Sequence, residues 1–310
     1  MRKLRVLIVL LTVLFASNAV QAKKVLLKYK LEKGAEFTLV HTMVNEITQE
    51  VMGQSQVLEN TYTTRYIFKV INIDSDGNFL VEEQTDGISI KMENDFINMD
   101  YDSDDGEEPP QELKSLSEGI HIPVQFLLSP QGKVIEVTDA EEYLAIMQKA
   151  LGGEGNPMAS VATGMASQLT SIEGIQNQLD GLFINYPSGK IKVGKSWEEE
   201  TQSTQMVKFK NNVEYTLVEA DKKNATIKQA VQITQMESSE GMEIQGMTMT
   251  YELSGRKESG NQINLATGMI SRVDAVTEIS GIVSIESPQL PTPMSIPMTI
   301  KLTETIEQLN

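Results

Sequence analysis

The chain has no cysteine. Disulfides, thiolate metal sites and a lipid-modified cysteine anchor are therefore excluded. Aromatic residues make up 5% of the sequence and Trp197 is its one tryptophan, so the ring platform of a carbohydrate-binding module is poorly supplied. Two histidines, His41 and His121, leave few bases for acid–base chemistry. Cations are scarce too: 26 Lys and Arg stand against 43 Asp and Glu. After the first apolar run, no stretch approaches the roughly 20 residues needed to cross a bilayer as a helix.

That first run identifies the N-terminus. Arg2, Lys3 and Arg5 precede VLIVLLTVLFA, and Val20 and Ala22 flank an A-x-A-like cleavage site. The pattern predicts a secretory signal peptide over residues 1–22, cut near Ala22. Without it, 23 cations remain against the same 43 acids, a net charge of −20. Such acidity disfavours nucleic acid and anionic lipid surfaces as partners. An exported chain without disulfides suits a bacterial periplasm or secreted fraction, with no integral membrane segment left after cleavage.

Most of what remains alternates with period two. Phe37, Leu39, His41, Met43, Ile47 and Val51 share one phase, with mostly polar residues in the other. Further strands are predicted at 56–72, Phe79–Glu83, Ile88–Met92 and 298–306. Helical signals gather in the middle. Thr138 to Glu141 forms a capping box ahead of Tyr143, Leu144, Met147 and Leu151. Pro157 opens a second apolar stripe ending near Leu182, and a short helix fits 111–118.

Four blocks recur in order. Lys33–Phe37 resembles Val193–Trp197, Arg65–Val70 resembles Glu214–Glu219, and the turn at Asp74 resembles the turn at Asp221. Leu128-Ser-Pro-Gln-Gly-Lys-Val134 resembles Leu265-Ala-Thr-Gly-Met-Ile270. The expected architecture is α+β, mainly β: two related antiparallel sheets or half-barrels with central helices packed on them. The divisions are a first β half at 23–137, a helical connection at 138–185 and a second β half at 186–310.

Several motifs fail on context. Gly189-Lys-Ile-Lys-Val-Gly-Lys-Ser196 fits the phosphate-loop pattern G-x-x-x-x-G-K-[ST], but its β-branched interior and the non-helical WEEET that follows argue for a turn between strands. Asn72 to Glu83 approximates a calcium loop, yet strand-like residues flank it where helices are needed. The acidic run Asp100–Glu108 reads as a solvated loop with at most weak divalent binding. Ser254-Gly-Arg-Lys257 fits S-x-x-K at a glycine-marked turn rather than a helix start. Methionines crowd the second half, Met247 and Met249 among them; they read first as ordinary core, next as a pliable hydrophobic cavity, and last as copper ligands, since no histidine joins them. No catalytic, cofactor-binding or metal-ligating set emerges, and no cofactor is expected.

The opening LKYKLEKGAEF, the block from Ser129 to Val134, YPSGKIKVGKSW and the closing NLATGMISRV together resemble a family of uncharacterised secreted bacterial proteins, marked by Val193-Gly194-x-Ser196-Trp197. At the level of fold, long one-faced strands with helices on one side are similar to the half-barrel carriers that move lipids and lipoproteins through bacterial envelopes. The long one-faced strands, the Met-rich second half and the absence of a catalytic set lead to the expectation of a non-enzymatic envelope protein holding a lipid or other apolar small molecule between sheet and helices. A structural module that binds an envelope protein is the alternative expectation. A secreted hydrolase built around His41 or His121 is a third.

Overall fold

The computed structural model describes residues 24–51, 54–93, 98–110, 113–151, 171–204, 207–236, 242–244, 247–288 and 292–309. The expected signal peptide and the 157–170 part of the second helical stripe lie outside them.

Among the described residues, thirteen strands form one sheet. They are β1 Glu36–Val51, β2 Gln54–Ile73, β3 Phe79–Glu93, β4 Asn98–Asp102, β5 Val124–Leu128, β6 Val134–Asp139, β7 Ser196–Thr204, β8 Lys208–Ala220, β9 Asn224–Gln235, β10 Met242–Ile244, β11 Met247–Asn264, β12 Ile270–Glu286 and β13 Met294–Leu309. The order is β6-β5-β3-β2-β1-β13-β12-β11-β9-β8-β7, with β4 added to β3 and β10 to β11. Expected strands 79–83 and 88–92 are one continuous strand.

Two separate sheets were expected, and the structure corrects this. β13 pairs with β1 on one side, Ile300 opposite Ile47, and with β12 on the other, Ile300 opposite Ile279. The C-terminal strand thus welds the two runs of strands into one antiparallel surface. Three helices fall among the described residues. α1 is Lys114–Glu118, α2 is Glu141–Leu151 and α3 is Ile172–Asp180. The predicted capping box shifts, because β6 continues through Asp139 and α2 begins only at Glu141. Ser171 caps α3 by accepting from the Gly174 N–H.

Turns recur along the sheet. Gly34 and Gly194 both have positive φ, 83° and 81°, and donate N–H bonds to Val70 O and Leu217 O. Val70 N and Leu217 N donate back, to Ala35 O and Lys195 O. These bonds set Val70 against Leu217, two residues from the sequence alignment. Gly194 therefore makes a strand-entry turn, and Ser196 opens β7 rather than a helix, so the phosphate-loop pattern has no loop of that kind behind it. The Asp74 and Asp221 turns are alike as well: each carboxylate accepts two backbone N–H bonds from the residues after it.

The sheet curls around residues 24–31 and 180–186. Tyr29 N–H donates to Pro130 O and Lys30 N–H to Thr267 O, which ties the turn after β5 to the turn after β11. The Tyr29 hydroxyl accepts from Ile184 N–H, and Tyr186 donates to Gly268 O. The Asp180 carboxylate accepts from Val134 N–H on edge strand β6, and Asn185 O accepts from Trp197 Nε1 on edge strand β7. Residues 180–186 thus touch both sheet edges and satisfy the Val134 N–H on one of them. Within the curl, Phe68 stacks on Phe37 at 4.9 Å and meets Phe126 and Phe183 edge-on. Burying each such ring contributes about 1.5–3 kcal/mol.

Gly268 is required where the curl closes. Its φ is +76°, and an added Cβ would lie 2.1 Å from Lys28 O. Gly268→Ala is expected to lower stability by about 2–4 kcal/mol, from left-handed strain plus the clash. Gly260→Ala, in open space on β11, should stay within about 0.5 kcal/mol. Urea unfolding of both variants checks this, and equal midpoints would contradict the close approach.

Candidate functional site

The inner face of the sheet carries three zones. Near the curl it is the aromatic core just described. At mid-strand lies a polar belt, and beyond it the face turns apolar again without becoming fully buried.

The belt arises from residues that keep the apolar phase of their strands but are not apolar. His41 follows Phe37 and Leu39 on β1, and Glu304 lies between Leu302 and Ile306 on β13. Lys257 on β11 joins them from two strands away. Lys257 Nζ donates to Glu304 Oε2 at 2.6 Å. His41 Nε2 lies 3.4 Å from Glu304 Oε1, within ion-pair range, but has no hydrogen-bond partner. His41 and Glu304 are each 13% exposed. Burial pushes the Glu304 carboxyl up, but His41 and Lys257 together outweigh it and hold it at about 2. The belt continues through Asn45, whose Oδ1 is also unpartnered, and through the bonded Ser259, Asn261 and Gln229.

Beyond the belt, Leu58, Ile47, Ile300 and Ile279 sit in register across β2, β1, β13 and β12. Met298, Ile296 and Met294 extend the surface along β13, beside Val283 and Ile285. Except for buried Val283, these side chains are only half-buried. Four strands at about 4.8 Å spacing and seven residues of β13 make a patch roughly 15 by 20 Å.

Among the described residues, the space between helices and sheet is small. α2 and α3 pack over β2, β3 and β5, leaving a cavity of about 20 Å³. Glu83 projects into it from β3, 8% exposed, with Oε1 unpartnered. Burial pushes its carboxyl up to about 8, against a smaller opposing effect from Thr85. Tyr66 and Tyr143 line the same space, and burial raises both hydroxyls, Tyr143 to about 12. Glu83 was the twelfth residue of the approximate calcium loop. It lies on the core face while Asp74 caps an exposed hairpin turn, so that loop is not assembled.

Sequence motifs disperse elsewhere. Within the acidic run, Asp104 binds the Arg65 guanidinium through both oxygens at 3.0 and 3.1 Å. Asp86 holds Arg65 from the other side. His121 Nδ1 lies 3.8 Å from Asp86 Oδ1 on an exposed turn with φ +67°. Ser254 and Lys257 fall on opposite faces of β11. Both histidines do lie beside a carboxylate, as a hydrolase would need, but neither bonds a Ser or Thr hydroxyl among the described residues. No group of three or more metal-ligating side chains occurs among those residues either. On the outer face, a groove of about 640 Å³ runs over β7, β8, β9 and β11, with Glu198, Glu200, Glu214 and Glu258 around Arg256.

Together these features define a curled, single-sheet antiparallel β protein with a polar belt and a half-buried apolar inner face. Among the described residues no helix is long and apolar enough to cross a membrane. The chain belongs to a family of unknown function (DUF6263), matched over residues 76–270. No curated protein matches it. Among solved structures it is similar to one titled for lipid–protein interactions in lipovitellin, at 8% identity and TM-score 0.47, over 91% of this chain. It spans about a quarter of that lipovitellin chain, 26%. An outer membrane channel from Pseudomonas putida F1 is similar at 8% identity and TM-score 0.27, over 91% of this chain and 97% of the channel. Neither likeness says what this chain binds.

The belt makes a pH prediction. Glu304 is held below its ordinary value of 4.5, so its stabilisation is fully present above that value and is lost as pH falls toward 2. The loss is on the order of 3 kcal/mol. Glu304→Gln should flatten the acid limb of a urea-midpoint profile between pH 5 and 2. An unchanged acid limb would show that the ion cluster does not stabilise the fold.

Proposed function

We propose that this is an exported, non-enzymatic envelope protein that binds a hydrophobic or amphiphilic ligand on the inner face of its sheet. The half-buried apolar patch beyond the polar belt carries this reading. An acyl chain reaching half-way through a bilayer core is about 15 Å long, which matches the patch. Half-buried isoleucine and methionine side chains gain by contact with such a chain, at about 25 cal/mol per Å² of apolar area removed from water. The part-exposed Lys257 ammonium, at the border of the patch, offers a polar head a hydrogen bond. Methionine adds tolerance for varied ligand shapes. The small cavity under α2 and α3 moves the ligand from between sheet and helices to the distal face.

Export rests on the N-terminal sequence: the mature chain would start at Lys23, in the periplasm or outside the cell. Matching turns at Gly34 and Gly194, and at Asp74 and Asp221, support two related halves within the one sheet. A second reading, a module that binds an envelope protein, is favoured by the acidic groove on the outer face, whose charge suits a basic partner.

Native mass spectrometry of protein from the source cell should show a mature N-terminus at Lys23 and bound mass of lipid size. Uptake of a fluorescent fatty acid should fall at least tenfold in Ile300→Glu and persist in Thr303→Glu, on the outer face of the same strand. A ligand-free spectrum with no uptake by the wild type would overturn the ligand reading.

A further inference from the structure

Glu83 is a carboxyl placed where an apolar residue belongs. Phe79, Val81 and Glu83 share one phase of β3, and all three are buried. Its cross-strand neighbours are Phe68 on β2 and Val124 on β5. Helices close over it: Tyr143 reaches in from α2, and Ile175, Gln178 and Leu179 from α3. The groups facing it are thus Tyr66, Thr85, Tyr143 and Gln178. Among the described residues no cation lines the cavity, and Gln178 Nε2 is turned to the Tyr66 hydroxyl at 3.4 Å. The space beside the carboxyl, about 20 Å³, holds about one water molecule. One water cannot solvate a carboxylate, whose unpaired burial costs far more than that of a neutral acid.

We propose that Glu83 is a proton-operated latch on the helical cover: protonated, it lets α2 and α3 seat on the sheet, and deprotonated, it favours a state in which they lift and water enters. The closed state binds the Glu83 proton up to about pH 8, while a solvated Glu gives it up near 4.5. Between those values the lifted state has lost the proton and the closed state has kept it. Raising the pH through this window therefore favours lifting, about tenfold per unit. Above it both states are ionised and the dependence levels off. Tyr66 and Tyr143 stay protonated throughout, because burial raises both. The latch acts on the helices whatever ligand the distal face holds.

Hydrogen exchange on the full mature chain between pH 5 and 9 tests this, after correction for intrinsic rates. Protection of the α2 and α3 amides, relative to those of β12, should fall about tenfold per pH unit up to about 8 and then flatten. Glu83→Gln, which keeps the shape and cannot ionise, should hold that ratio constant. A wild-type ratio that stays flat, or a Glu83→Gln profile that falls like the wild type, would overturn the latch. Should Glu83→Gln not fold, carboxyl-carbon resonances of the wild type decide: a Glu titrating near pH 8 supports the latch, and none above pH 6 refutes it.

Discussion

An apolar sheet face has to be covered, and here, among the described residues, backbone and rings do much of the covering. Tyr29 is the hub. Its N–H bond to Pro130 O, the Ile184 N–H bond to its hydroxyl, and its ring contacts with Phe183 and Tyr186 join the turn after β5 to the segment that spans the sheet edges, and the next residue, Lys30, adds the turn after β11 through its N–H bond to Thr267 O. Burial raises the Tyr29 hydroxyl far above its ordinary range, so it remains a neutral partner at any physiological pH. Curvature of the sheet, closure of its edges and the position of the core all follow from this knot.

Once the curl is fixed at one end, the long strands project past it. Their inner face cannot be buried by the same residues, because 24–31 and 180–186 are too short to reach. The belt of His41, Glu304 and Lys257 marks the border. It is a costly place for charge, offset by the mutual pairing of the three groups. Beyond the border, isoleucine and methionine remain half-buried. The proposed ligand site and the cavity under α2 and α3 are thus separate consequences of one geometry: a tight end, a covered flank and an unfilled distal face.

Part of the candidate site was legible in the sequence. His41 stood in phase with Phe37 and Leu39, and the structure places it on that inner face. Glu83 gives the same signal, an acid in phase with Phe79 and Val81 on the expected strand Phe79–Glu83, but nothing local marks which phase is buried. Lys257 and Glu304 could not have been linked to His41, since β11, β13 and β1 meet only through the order of the sheet.

Alternation along the chain, glycines with positive φ at turns, and a cap at Ser171 are local matters, governed by backbone sterics and hydrogen bonds a few residues apart. The sequence alone therefore determined that this would be a mainly β, antiparallel protein with long strands. Whether those strands made two sheets or one depended on β13 pairing with β1, contacts between the far ends of the chain that leave no local trace. The same is true of the carboxylate under the helices and the ion cluster on the sheet. Their chemistry comes from burial and neighbours, which only the tertiary structure supplies.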